Sequence, residues 1–336
     1  MTDSRGVEER VAHIAAPLGG TIGVAARNLA SGVEVHIAAD EPYPLASCFK
    51  VAVMVEVMRR VDAGTVRLDQ RLTLTEADKS PGGTLIHCHE GLRPTVRDLL
   101  FLMITLSDNT AADMLWRLVG LDSVNETMGA LGLSSIDCFM PSREYFLIGC
   151  GAGDEWAGLA APDIVARWRE LEAGGDGAAA LRRLLDENAR LGGASFRRLY
   201  ERRWGRDESV DYEEAFIIDQ ALDNRGSPRD MADLLATIAQ GRCASGPSCR
   251  LMLEVLAQQE WRERIPAGLP AGLLVANKTG SVAGTSNDAA IVVTPKGVPM
   301  VMVIFWKELD REATRRADAA IAAVAGVLYD HLGGPA

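Results

Sequence analysis

Ala289-Ala290-Ile291-Val292-Val293 and Pro299-Met300-Val301-Met302-Val303-Ile304-Phe305 stand on either side of Thr294-Pro295-Lys296-Gly297. Two β-prone apolar runs around a Pro/Gly break read as a hairpin of adjacent strands. Just upstream, Gly272-Leu273-Leu274-Val275-Ala276-Asn277 is another strand-like run. Just downstream, Ala313 to Leu332 is alanine-rich with apolar residues at helical spacing, a closing helix. The other end of the chain carries a matching signal. Thr21-Ile22-Gly23-Val24-Ala25-Ala26 and Val33-Glu34-Val35-His36-Ile37 flank Asn28-Leu29-Ala30-Ser31-Gly32, a second hairpin. Strands at both ends with helices between them predict an α+β fold: an antiparallel sheet from both termini, flanked by helices, with an inserted all-helical lobe.

The middle of the chain carries helical periodicity over Val51 to Val61, Val96 to Leu106, Ala111 to Val119, Pro162 to Leu171, Ala178 to Leu191 and Pro228 to Ile238. A chain of 336 residues can bury two lobes that share an interface. Residues 1–46 with 266–336 are expected to form the sheet lobe, and residues 47–265 the helical lobe. The Gly-rich breaks at Gly149 to Gly153 and Gly174 to Gly177 read as loops inside a lobe.

Composition narrows the function. A net charge of -11 disfavours nucleic acid and anionic membranes, which select basic surfaces. No segment reaches the roughly 18 continuous apolar residues of a membrane span. Met1 to Arg10 is polar and mixed in charge, without the apolar stretch of a signal peptide, so the expected compartment is the cytoplasm. Six cysteines are too few for a disulfide framework; Cys243 and Cys249 are close enough in sequence to pair, but reduced thiols suit a cytoplasmic chain better. His87-Cys88-His89 lacks a second ligand pair at zinc-like spacing and reads as a loop or strand edge. Neither metal nor cofactor is expected.

Lysine usage points to chemistry. Of 35 basic residues only five are lysines: Lys50, Lys79, Lys278, Lys296 and Lys307. Arginine serves wherever a generic positive charge will do, and only lysine can lose its proton near neutral pH and act as a base. Lys50 follows Ser47 by three residues in Leu45-Ala46-Ser47-Cys48-Phe49-Lys50, so both side chains share one helical face. A serine at a helix start also aims free backbone N–H groups at whatever it attacks. The plainer reading, an N-cap serine and a solvated lysine, sits badly with the apolar neighbours Ala46, Phe49, Val51, Ala52 and Val53. Ser107-Asp108-Asn109 breaks two helical patterns: the serine can relay a proton and the asparagine can hold an amide. Lys278-Thr279-Gly280 ends a strand-like run, where glycine lets a ligand approach the backbone. Alone, each of the last two triplets is common and means little.

Taken together, Ser47-x-x-Lys50, Ser107-Asp108-Asn109 and Lys278-Thr279-Gly280, in this order, resemble the motif set of class A β-lactamases and penicillin-binding proteins. The resemblance extends through Leu45 to Val55, Gly91 to Ala111 and Lys278 to Ile291, and implies a β-lactamase/transpeptidase-like fold. It implies that Ser47 attacks an activated carbonyl to form an acyl-enzyme and that Lys50 takes or relays its proton. Ser107 then delivers a proton to the leaving nitrogen. Asn109 holds the substrate amide, Lys278 and Thr279 meet its carboxylate, and the N–H groups of Ser47 and Ser281 form the oxyanion hole. The expected partner is a small acyl substrate, a β-lactam or related amide or ester; the sequence leaves the oligomeric state open.

Two departures accompany the resemblance. The family's deacylating glutamate sits on an omega loop ahead of Leu-Asn; here Glu144 lies near the expected distance without that motif, and Asp211, Glu213 and Glu214 are rivals. The residues from about 141 to 226 read as an enlarged, helical omega-loop-like insertion carrying Trp156, Trp168 and Trp204, which covers or reshapes the site entrance. Asn287-Asp288 occupies the strand stretch where many relatives place a carboxylate-binding arginine, leaving Arg315 or Arg316 of the closing helix as substitutes. The leading expectation is a β-lactamase with Ser47, Lys50, Ser107 and Glu144 as catalytic residues and Asn109, Lys278, Thr279, Gly280 and Ser281 as substrate-binding ones. A cytoplasmic esterase, amidase or acyltransferase, or a D-amino-acid peptidase, comes next on the same scaffold. A non-catalytic penicilloyl-binding sensor comes last.

Overall fold

Alternation along the strands decides what faces what. In Pro299–Lys307, Met300, Met302, Ile304 and Trp306 are buried in one apolar cluster, while Val301, Val303 and Phe305 are buried in another. Successive side chains of a strand point to opposite faces, so this strand is covered on both sides and its run is apolar throughout. The protein is represented by a computed structural model that describes residues 4–204 and 212–333. Its strands are β1 (Thr21–Asn28), β2 (Glu34–Ile37), β3 (Tyr43–Pro44), β4 (Arg225–Gly226), β5 (Leu274–Val282), β6 (Thr285–Val293) and β7 (Pro299–Lys307). Five form one antiparallel sheet in the order β2-β1-β7-β6-β5, and β3 pairs with β4 in a small separate ladder. The two ends of the chain meet where β1 pairs with β7, in register from Thr21 opposite Lys307 to Asn28 opposite Met300.

One face of the sheet carries the N-terminal helix Ser4–Ala15 and the closing helix Arg311–His331. The other face buries the helices Lys50–Asp62, Val96–Thr105, Asn109–Val119 and Pro228–Ala239 in a common core. The described helices of the stretch from 141 to 226 form a third body. Its helices Ser142–Gly149, Ala161–Ala173, Gly177–Glu187, Gly193–Trp204 and Tyr212–Leu222 enclose their own apolar core around Trp156, Trp168 and Phe196. Among the described residues no helix is long and apolar enough to cross a membrane.

The two hairpins, the closing helix and most central helices lie where the periodicity predicts them. The expected helix from Ala178 to Leu191 stops at Glu187, where the Asn188 side chain donates to the Leu184 carbonyl at 2.9 Å. Glu144, expected on an omega loop, lies on the helix Ser142–Gly149. That helix is capped from afar: Asp113 accepts from the backbone N–H groups of Ser142 and Arg143, both at 2.8 Å. A cap borrowed from another helix leaves no local signature.

Because the insertion owns its core, damage there should be felt locally first. Phe196→Ala removes a fully buried ring and is expected to cost about 3–4 kcal/mol. Amide exchange should rise across 142–204 before it rises in β6 and β7. Uniform exchange across the chain would show instead that the insertion and sheet unfold as one unit.

Candidate active site

Ser47 is presented by a tight turn, not by the first turn of an α-helix as its spacing predicts. Ala46–Phe49 is a 3₁₀ turn, and the α-helix begins at Lys50. Ala46 has φ of 45°, a left-handed conformation that disfavours any side chain, so its surroundings must hold it. Asp223 accepts from the Ala46 N–H at 2.6 Å, the Asn224 carbonyl accepts from the Leu45 N–H at 2.7 Å, and Asn287 Nδ2 donates to the Pro44 carbonyl at 2.7 Å. Gly280 completes the seat, since a Cβ there would stand 2.6 Å from the Leu45 carbonyl oxygen and 3.1 Å from the Ser47 nitrogen. The Lys-Thr-Gly glycine is therefore required by β5 lying directly against the serine turn.

Lys50 is fully buried, and its Nζ is ringed by oxygens. It lies 3.0 Å from Ser47 Oγ, 2.7 Å from the Ser107 carbonyl, 3.2 Å from Ser107 Oγ and 2.6 Å from Asn109 Oδ1. The Asn109 amide is oriented by Nδ2, which donates to the Pro81 carbonyl at 2.6 Å, so Oδ1 faces Lys50. The Ser107 carbonyl and Asn109 Oδ1 can only accept. They occupy two N–H groups of Lys50 and leave its remaining position facing the Ser47 hydroxyl. Burial, and then the charge of nearby Lys278, hold Lys50 well below the usual lysine range. Ser107 is itself held at φ 59°, another backbone strain adjoining the reacting groups.

Lys278 is equally buried; its Nζ donates to Ser107 Oγ at 3.0 Å and to the Thr279 carbonyl at 2.7 Å. Burial pushes it down to about 8. A continuous chain thus runs Ser47–Lys50–Ser107–Lys278. In front of it lies a cleft of about 330 Å³ lined by Ser47, Ser107, Thr279, Ser281, Trp261 and Arg264, with Glu263 and Asp318 at its edge. Arg264 is the cation that the sequence did not single out. Its guanidinium donates to the Gly280 and Asn287 carbonyls at 2.9 and 2.6 Å, to Ser281 Oγ at 2.5 Å and to Asp318 at 2.7 Å. Arg315 and Arg316 are exposed on the closing helix, and neither lines this cleft.

The expected residues are not all gathered. Ser47, Lys50, Ser107, Asn109, Lys278, Thr279, Gly280 and Ser281 meet at one place, but Asn109 spends both ends of its amide on Lys50 and Pro81. Glu144 neither lines this cleft nor bonds Lys50: it is buried and accepts from Arg117 Nη2 at 2.9 and 2.8 Å. Among the described residues no carboxylate hydrogen-bonds Lys50. Of the rivals, Glu214 pairs with Arg203, Glu213 is exposed on Tyr212–Leu222, and Asp211 lies outside the described residues. Cys243 and Cys249 are free thiols with sulfurs 3.7 Å apart. His87 lies 3.4 Å from Arg197.

The sequence model of the beta-lactamase enzyme family matches residues 6–332. The carbapenem-hydrolyzing beta-lactamase KPC of Klebsiella oxytoca is 26% identical over 330 residues, covering 97% of this chain and 89% of its own length. A beta-lactamase of Streptomyces albus G is 26% identical over 341 residues, covering 97% of this chain and 84% of its own. Among solved structures, a beta-lactamase from Sphaerobacter thermophilus superposes with a TM-score of 0.70 at 28% identity, covering 98% of both chains. The protein PBP-A has the same fold at a TM-score of 0.70 and 22% identity, covering 97% of this chain and 95% of its own.

The lysine pair gives a measurable signature. In a pH titration of ¹⁵N-labelled lysine side chains, Lys278 is expected to change charge near pH 8. Lys278→Met should raise the Lys50 midpoint, because removing a neighbouring positive charge favours protonation. A midpoint for Lys50 that does not move would show that the two amines are electrostatically independent.

Proposed function

The chain belongs to the beta-lactamase enzyme family, and we propose that it opens β-lactams, or closely related activated amides, through an acyl-enzyme on Ser47. The observation that carries this reading is the buried Lys50, whose Nζ stands 3.0 Å from Ser47 Oγ and which burial holds well below the usual lysine range. In the proposed reaction Lys50 takes the Ser47 proton as Oγ bonds to the lactam carbonyl carbon. The ring C–N bond breaks as Ser107 passes its proton to the departing nitrogen, and protonated Lys50, 3.2 Å from Ser107 Oγ, restores it. Arg264 and Thr279 line the cleft, with Lys278 buried behind Ser107 and Thr279, and in this reading they meet a substrate carboxylate. In this reading the backbone N–H groups of Ser47 and Ser281 receive the developing oxyanion.

A second reading has its own support. Glu144 is committed to Arg117, which argues against its activating a deacylating water. Acylation would then outrun hydrolysis, as in a D-amino-acid peptidase or an esterase whose preferred acyl group is not a lactam.

Intact-mass analysis with benzylpenicillin, together with a chromogenic cephalosporin assay, tests both readings. Acylation should disappear in Ser47→Ala and fall about 10²–10⁴-fold in Lys50→Arg, which keeps the charge but cannot accept a proton. Rapid turnover without an adduct supports a β-lactamase; a persistent adduct on Ser47 supports the second reading; no adduct and no turnover would refute both for lactams. The acylation rate should fall at acid pH as Lys50 is protonated. It should fall again above about pH 8 as Lys278 loses the charge that meets a carboxylate. Glu144→Gln is expected to leave deacylation unchanged and to lower stability by about 3 kcal/mol, because Arg117 is left without its buried counter-ion. A large loss of deacylation in that variant would return the role to Glu144.

A further inference from the structure

The residue ahead of Ser47 is held where an alanine does not settle by itself. Ala46 has φ of 45°, in the left-handed region that a Cβ disfavours. A glycine would adopt that conformation freely, so the alanine is kept there by its bonds. Ala46 is buried, and its N–H donates to Asp223 Oδ2 at 2.6 Å. The carbonyl of the next residue, Asn224, accepts from the Leu45 N–H at 2.7 Å. Two successive N–H groups of the serine turn are thus taken by two successive residues at the end of the insertion. The Ser47 Oγ that follows stands 3.0 Å from Lys50 Nζ.

A carboxyl group is a costly choice for that task. Asp223 is buried, and among the described residues no lysine or arginine bonds to it; the nearby Arg225 donates to the Ala221 carbonyl at 2.8 Å instead. Burying a carboxylate without a paired cation is unfavourable. An amide serves the neighbouring contact, where Asn287 Nδ2 donates to the Pro44 carbonyl at 2.7 Å. What a carboxylate adds is strength, because an ionised acceptor holds an N–H more tightly than a neutral one. The titratable and charged groups facing Asp223 are Asp219 on the preceding helix, Arg225 on β4, Cys48 in the serine turn, Cys138, and Tyr145 on Ser142–Gly149. Burial raises the Asp223 carboxyl, the Ala46 N–H opposes the rise and Asp219 adds to it, and the group reaches about 8.

We propose that Asp223 is a positioning residue for Ser47: by gripping the Ala46 N–H it keeps the turn left-handed at Ala46 and the Ser47 hydroxyl within reach of Lys50. The inference rests on Ser47 as the acylated residue and adds a control exerted on it from the helical insertion. Asp223 does not line the cleft in front of Ser47, so its loss slows the covalent step and leaves initial binding alone. The ionised form is the stronger grip, so the turn tightens as pH rises through the ionisation of Asp223.

The first readout is the Ala46 amide itself, in ¹⁵N-alanine-labelled protein with the resonance assigned by Ala46→Gly. Its shift is expected to titrate near pH 8 in wild type. It should stay flat in Asp223→Asn, whose amide oxygen accepts the same N–H without titrating. The second readout is labelling of Ser47 by benzylpenicillin and by a fluorophosphonate, which bonds its phosphorus to Oγ with loss of fluoride and needs no lactam. Asp223→Ala should slow both labelling rates about 10²-fold, the scale of a small misplacement of a reacting group, with the dissociation constant for benzylpenicillin changed by less than about threefold. Asp223→Asn should restore most of the rate. If penicillin left wild-type Ser47 unlabelled while fluorophosphonate labelling followed Asp223 as described, the positioning role would stand and the lactam reading alone would fall. Should Asp223→Ala fold poorly, the Ala46 titration decides. A wild-type labelling rate in Asp223→Ala, a loss that Asp223→Asn does not restore, or an Ala46 amide that is flat in wild type or titrates identically in Asp223→Asn, would overturn the positioning role.

Discussion

An amine with no water around it governs this molecule. Removing Lys50 from solvent is costly unless every polar neighbour is placed for it, and the neighbours come from distant parts of the chain. Ser47 belongs to the turn ahead of the helix, while Ser107 and Asn109 belong to a break between two others. The second buried amine arrives on β5 and touches the same Ser107 hydroxyl. Sheet and helical bodies must be docked correctly for either lysine to be tolerated. The arrangement is therefore a test of the fold as much as a site of reaction.

The insertion takes part in that docking. Its last helix, Tyr212–Leu222, and the residues just after it hold the serine turn through Asp223 and the β5–β6 turn through Asp219, Gln220 and Tyr212. Burial pushes Asp219 up to about 7 and Asp223 up to about 8. Both carboxyl groups accept backbone N–H bonds at 2.6 Å, which favour the charged form and oppose that push. A segment that looks like an ornament on the family fold is bonded to Ala46, the residue before Ser47.

How far the sequence could be read depended on how local each cause was. The strands announced themselves by alternation, the closing helix by its alanine-rich period, and the Ser47, Ser107 and Lys278 triplets by short spacing that survives in any context. Glu144 could be placed only by distance from Asn109, and distance carried no information about Arg117, which claims it from another helix. Arg264 had no motif around it and gained its position only when the chain returned to β5. Asp219 and Asp223 look like ordinary acidic residues at the end of a helix. Their partners, Ala283 and Ala46, are backbone N–H donors far away in sequence, and no side-chain pattern can foretell a backbone donor's need.

β5 lies at the edge of the sheet, and an unpaired edge is an invitation to another strand. Here that edge is occupied side chain by side chain. Arg262 takes the Val275 carbonyl at 2.8 Å, Cys48 Sγ lies 3.3 Å from the Lys278 carbonyl, and Arg264 takes the Gly280 carbonyl. A foreign strand would have to strip away two guanidinium groups and the nucleophile turn before it could add a ladder. The edge of β5 is thus closed to a foreign strand, so the side chains around the Ser47 turn also guard the chain against self-association into extended sheets.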